Sequence, residues 1–218
     1  MALSAAHHPS ADRPHDAPLI LLVPGHADRG PADWMHAWES ERAHCHRVEL
    51  GMWDDPHRNT WVNKLNLALH HAAVHHANRP VVLIAEDIGC LAVAWWAEYE
   101  RPSFAEPVIG TIFVSPPDID RPGSDPRLAR FGSCPRQSLP FPSYLVANRG
   151  DPAEKQLTAR QLASDWGSGF SEASFEAGNW PFDQRLLNRL VRDSGTVARA
   201  VPAPRPLASP DIGLAALA

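Results

Sequence analysis

Apolar and polar positions along this chain follow two periods in turn. Short continuous apolar runs bounded by turn residues mark strands buried on both faces, and longer stretches with apolar residues at helical spacing mark helices. The first run, Pro18 to Val23, ends at Pro24-Gly25. Asp33 then reads as the N-cap of a helix through Trp34, Trp38 and Glu41. His46 to Leu50 is a second, weaker strand. Asn59 or Thr60 opens a helix with Trp61, Leu65, Ala68, Leu69 and Ala72 at helical spacing. Pro80 to Ala85 is the third strand, followed by an apolar helix from Ile88 to about Tyr99. Gly110 to Ser115 and Ser143 to Ala147 read as further strands, separated by a proline-rich excursion. Ala153 to Trp166 and Asp183 to Ser194 read as helices.

This alternation predicts an α/β fold: a mostly parallel sheet with helices on both faces. With 218 residues, 44% of them hydrophobic, the chain can build one compact domain around one core. Its body is expected over 18–195. Residues 1–17 and the Pro/Ala-rich stretch 196–218 carry no amphipathic period and read as extended or disordered extensions. No insertion is long enough to build a large lid. In such sheets the site gathers at the carboxyl ends of the strands. Gly25-His26, Asp87, Ser115 to Asp118 and Asn148 to Asp151 all fall there.

A net charge of -5 gives no electrostatic reason to expect nucleic acid or an anionic membrane as partner. No apolar run approaches the ~20 residues that span a bilayer. The three cysteines, Cys45, Cys90 and Cys134, are too few and too scattered for a disulfide framework or a cysteine zinc site, and they suit a reducing cytoplasm. The first residues lack the charged start and apolar core of a signal peptide. The expected partner is a small molecule or another protein, with no cofactor and no metal.

The segment Ala85-Glu86-Asp87-Ile88-Gly89 lies between the third strand and the apolar helix Cys90-Leu91-Ala92-Val93-Ala94-Trp95-Trp96. It resembles the nucleophile elbow of the α/β-hydrolase fold, in which a serine sits at the tip of a strained strand-to-helix turn. Here the tip is Asp87. The elbow order puts the base last in the chain, after nucleophile and acid. All twelve histidines lie between His7 and His76, ahead of the elbow.

Further motifs extend the likeness over about 18–190. They are Leu22-Val23-Pro24-Gly25 with Gly30-Pro31 and Trp34, Trp53-Asp54-Asp55-Pro56 with Trp61, Val114-Ser115-Pro116-Pro117-Asp118 through Pro122, Pro135-Arg136-Gln137, and Asn148-Arg149-Gly150-Asp151-Pro152. In these the chain resembles the small serine hydrolases of the retinoblastoma-binding type. The resemblance implies a compact α/β-hydrolase fold with the nucleophile position at Asp87 and the acid position at Asp151. It implies an oxyanion pocket from Gly25, His26 and Ile88, with Glu86 beside it. The family histidine precedes a Trp-Pro pair, and this chain reads Ala177-Gly178-Asn179-Trp180-Pro181 there. Either Asn179 replaces the histidine or a histidine-bearing loop was deleted; both remove the base. The implied protein is a degenerate, inactive homologue that retains a pocket.

Alternative chemistry competes at each position. Asp87 is either an aspartate nucleophile or an N-cap of the helix that follows. As nucleophile it forms an ester whose hydrolysis still needs a base. His26 is either that base or a loop residue offering only its backbone N–H. Without an imidazole to orient, Asp151 is a turn residue ahead of Pro152. His71 and His75 stand four apart on a helix, but no local Glu or Asp completes a zinc set, so solvent-facing histidines are expected. The eight tryptophans are expected to pack the core and helix–sheet seams rather than bind a ring ligand.

Overall fold

The computed structural model describes residues 17–25, 33–76, 79–102, 107–120, 124, 126–175 and 182–200. The strands are β1 (Leu19–Val23), β2 (Cys45–Arg47), β3 (Val81–Glu86), β4 (Val108–Val114), β5 (Ser143–Asn148) and β6 (Gly169–Ala173). The helices are α1 (Asp33–Glu41), α2 (Arg58–His75), α3 (Ile88–Glu100), α4 (Ala153–Trp166) and α5 (Gln184–Ala200), with a short 3-10 helix at Pro126–Phe131. All strand pairings are parallel, in the order β2-β1-β3-β4-β5-β6.

The period-2 geometry of a strand sends successive side chains to opposite faces. Leu19, Leu21 and Val23 of β1 join Val81, Leu83 and Ala85 of β3 on the face covered by α2, α3 and α4. Ile20, Leu22, Val82 and Ile84 pack on the other face, with Met35 and Trp38 of α1 and Leu187 and Leu190 of α5. Continuous apolar strands are therefore needed, because both faces are buried. Helix α3 is apolar on every side and is buried from Ile88 through Val93. It sits directly behind the elbow.

Three elements depart from the sequence reading. Strand β2 is Cys45–Arg47 rather than His46 to Leu50, because Gly51 and Met52 take positive φ and turn the chain toward α2. Strand β6 was not expected at all. Its five residues, Gly-Phe-Ser-Glu-Ala, are only partly buried at the sheet edge, so the run shows no apolar signature. Helix α5 runs to Ala200, past the boundary placed at 195. Thr196 to Ala200 contain neither Gly nor Pro, and the first helix-breaking residue is Pro202.

Candidate functional site

From β1 the chain moves outward to β2, then returns to pair β3 on the other side of β1. The carboxyl ends of β1 and β3 thus flank a topological switch point, where open parallel sheets form their ligand crevices. Glu86 ends β3, Asp87 is the turn, and Ile88 begins α3. The Asp87 N–H donates to Val114 O at 3.0 Å, and Cys90 N–H donates to Asp87 O at 3.0 Å. Asp87 has φ 51° and ψ -129°, a conformation that L-residues avoid. The sharp turn of a nucleophile elbow is therefore kept although no serine stands at its tip.

Two glycines make that turn possible. A Cβ on Gly25 would lie 2.6 Å from Asp87 Cβ and 2.9 Å from its Oδ2. A Cβ on Gly89 would lie 2.5 Å from Val23 O and 2.6 Å from Pro24 O. The end of β1 thus closes directly onto the elbow. The N-cap reading of Asp87 is corrected here: its side chain makes no capping hydrogen bond to α3. At φ 51° the side chain leaves the extended conformation from which N-caps reach the first turn.

Glu86 is mostly buried, and Trp34 Nε1 of α1 donates to its Oε1 at 3.0 Å. Burial raises the Glu86 carboxyl to about 7; the Trp34 hydrogen bond opposes the rise, and the neighbouring Asp87 charge adds to it. Cys90 is wholly buried, with its Sγ donating to Ala85 O at 3.3 Å. Burial pushes its thiol well above the usual range, so it braces the turn and offers no thiolate.

Asp151 follows β5, as its sequence position requires, and lies in a turn in which its N–H donates to Asn148 O at 3.0 Å. Its carboxylate pairs with Lys155 Nζ at 3.1 Å, one helical turn on in α4. The same ammonium lies 3.5 Å from Ser115 Oγ. Ser115 directly follows β4 with φ 48°, another uncommon backbone for a non-glycine residue. Asp118 Oδ2 accepts a hydrogen bond from Thr158 Oγ1 at 3.0 Å. Glu86, Asp87, Ser115, Asp118 and Lys155, with Pro117, Leu128, Pro152 and Phe175, line one open cavity of about 500 Å³.

Gly25, Glu86, Asp87 and Ile88 therefore come together, and Asp151 stands behind Lys155 at the cavity wall. His26 and Asn179 lie outside the described residues. None of the described histidines lines the cavity. His57 contacts Asp55, His46 stacks on His76, and the His71 and His75 rings sit 4.0 Å apart on α2. Among the described residues no group of three His, Cys, Asp or Glu side chains is placed to hold a metal, and no helix is long and apolar enough to cross a membrane. Most tryptophans pack as expected: Trp38, Trp61 and Trp166 are fully buried. The sequence reading missed Lys155 and Trp34. The i,i+4 spacing of Asp151 and Lys155 was the available signal for the first; nothing local marks Trp34 as a partner of Glu86.

A parallel sheet, a strained elbow at the switch point and an acid after β5 define the α/β-hydrolase class. The chain belongs to the serine hydrolase family, whose model matches residues 20–181. Among solved structures, a Pectobacterium atrosepticum protein described as a YdeN-like hydrolase is 25% identical, with 82% of this chain and 91% of that chain covered and a TM-score of 0.61. The ydeN gene product of Bacillus subtilis is 14% identical, with 83% and 100% covered and a TM-score of 0.53. The ferulic acid complex of Est1E from Butyrivibrio proteoclasticus is 14% identical, with 85% and 90% covered and a TM-score of 0.54. The last two likenesses are of fold alone. No curated protein matches the chain.

Proposed function

We propose that this serine hydrolase-family protein has lost hydrolysis and uses the elbow cavity to bind a small ligand. One observation carries the reading: the tip holds a carboxylate, and the acid position behind it is taken up by the Lys155 ion pair. A triad needs a hydroxyl, a base to take its proton and an acid to orient that base. Ser115 Oγ lies 3.5 Å from Lys155 Nζ, but that Nζ is engaged by the Asp151 carboxylate at 3.1 Å. Three finer points are part of this reading: the resemblance to the retinoblastoma-binding type, supported by the motifs around Pro24-Gly25, Trp53-Asp54-Asp55-Pro56 and Ser115-Pro116-Pro117-Asp118; the degenerate state, supported by Asp87 at the tip and by the lack of any histidine after His76; and a cytoplasmic location, supported by the three sparse cysteines.

The lining indicates the ligand's chemistry. Among the described residues, Glu86, Asp87 and Asp118 place acidic groups in the cavity against the one ammonium of Lys155, while Pro117, Leu128 and Phe175 add apolar surface. Such a cavity favours an amine on an apolar body and repels a carboxylate. Titration of benzylamine and benzoate, followed by calorimetry, tests this. Benzylamine binds the wild type and binds Asp87→Asn more weakly, while benzoate does not bind. Equal binding of both would contradict the reading.

A second reading rests on the strained backbone that puts the Asp87 carboxylate at the tip of the elbow, lining the cavity. In it, an Asp87 oxygen displaces a halide from an alkyl carbon and forms an ester. With no histidine among the described residues lining the cavity to hydrolyse it, that ester accumulates. Intact mass after incubation with a benzyl halide separates the two: the non-catalytic reading predicts no added benzyl group on Asp87.

A further inference from the structure

A larger cavity, of about 810 Å³, lies on the opposite side of the β5–β6 edge from α4. Among the described residues it shares no lining residue with the elbow cavity. We propose that it is a second binding site, for a small ligand that joins a doubly charged oxyanion, phosphate or dicarboxylate, to an apolar body.

Among the described residues, three arginines and two acids line it. Arg42, just past α1, and Arg185 and Arg189, on the first turns of α5, all line it. Arg185 and Arg189 are one helical turn apart and share a face, and like charges at that spacing oppose each other. An anion between them relieves that repulsion. Two acids also line the cavity, and both are engaged. Glu172 pairs with Arg160 of α4 on the other face of the sheet. Asp183 Oδ1 accepts the Leu186 N–H at 3.0 Å, as a cap of α5. Asp193 is the remaining acid near Arg189; it accepts the Tyr144 hydroxyl at 2.7 Å, and Arg189 hydrogen-bonds the same Tyr144 side chain.

The cavity also has a rigid apolar floor. Trp38 and Phe182 are buried, with ring centroids 5.2 Å apart in an edge contact, and the Arg42 guanidinium lies 4.4 Å over the Trp38 ring. Val146 closes the floor from β5. The hydroxyls of Ser171 and Ser174 stand at the rim, and the positive end of α5 points the same way. Guanidinium groups match phosphate and carboxylate oxygens with paired N–H donors, which an isolated ammonium cannot do. The arrangement is that of a site for an oxyanion attached to a hydrophobic group.

Phenyl phosphate and phthalate are the probes, titrated by calorimetry at constant ionic strength so that general screening is matched. At least one is expected to bind the wild type with one-to-one stoichiometry. The tighter of the two identifies the oxyanion as phosphate or dicarboxylate. Arg185→Glu with Arg189→Glu, both on exposed positions, weakens it by roughly a hundredfold, about tenfold per lost guanidinium. Arg130→Glu, remote from the cavity, leaves the affinity unchanged. Benzylamine binding at the elbow cavity is also unchanged by the double substitution, so failure here is separable from failure of the proposed function. Absence of binding by both probes, or undiminished binding by the double variant, would overturn the proposal.

Discussion

Lys155 Nζ lies 3.1 Å from the carboxylate of Asp151, so an ammonium one helical turn on pairs with the residue at the acid position. The pair is half open to water, with side-chain exposures of 37% and 15%. Its energetic value is therefore small. A double-mutant cycle with Asp151→Asn and Lys155→Met should give a coupling of about 0.5–1 kcal/mol in urea unfolding. A coupling several times larger would mark the pair as a structural anchor and not as a relic of the acid position.

Backbone strain at Asp87 predicts an unusual direction of change. Replacing it with glycine, which tolerates φ 51°, should stabilise the fold by about 1 kcal/mol. In a domain of this size that raises Tm by about 2–4 °C. Asp87→Ala keeps a Cβ in the same backbone and should not share the gain. Thermal unfolding of the two variants side by side checks this, and a gain for alanine equal to that for glycine would trace the effect to charge.

Gly89→Ala tests how closely β1 seals the elbow. The added methyl would sit 2.5 Å from Val23 O and 2.6 Å from Pro24 O, both backbone atoms that cannot swing aside. A loss of about 2–3 kcal/mol is expected from overpacking. Unfolding at unchanged midpoint would show that the end of β1 yields.

Glu86 sets a pH dependence. Its carboxyl is raised from 4.5 to about 7, chiefly by burial, so the folded state holds its proton more tightly than the unfolded state. Below pH 4.5 both states are protonated and the group contributes nothing to the difference. Between 4.5 and about 7 the unfolded chain ionises first, and stability falls as pH rises, levelling off above about 7. Glu86→Gln keeps an acceptor for Trp34 and removes the ionisation. At pH 8 it should be more stable than wild type by about 3 kcal/mol, and at pH 4 equal to it. Parallel stability curves for the two proteins would contradict the assignment.

The sheet was legible because β1 and β3 are buried on both faces, which forces unbroken runs such as Leu19 to Val23. The elbow was legible from the same cause: an apolar strand, Asp87 and an apolar helix in direct succession. Strand β6 escaped because an edge strand carrying Gly169 and Glu172 needs no apolar face. The capping role expected of Asp87 failed because a residue type reveals its preference but not its φ. The Arg42, Arg185 and Arg189 cavity could not be read either, since it joins the end of α1 to the start of α5 across more than half the chain.

The central claim is that no side chain of this hydrolase fold is an activated nucleophile. Intact-mass spectrometry after exposure to a fluorophosphonate, with peptide mapping of any adduct, tests it most directly. The account predicts unmodified protein for the wild type and for Asp87→Ser, because no described histidine lines the cavity to take the proton of a serine at the tip. Stoichiometric phosphonylation of the wild type, at Ser115 or any other serine, would contradict it.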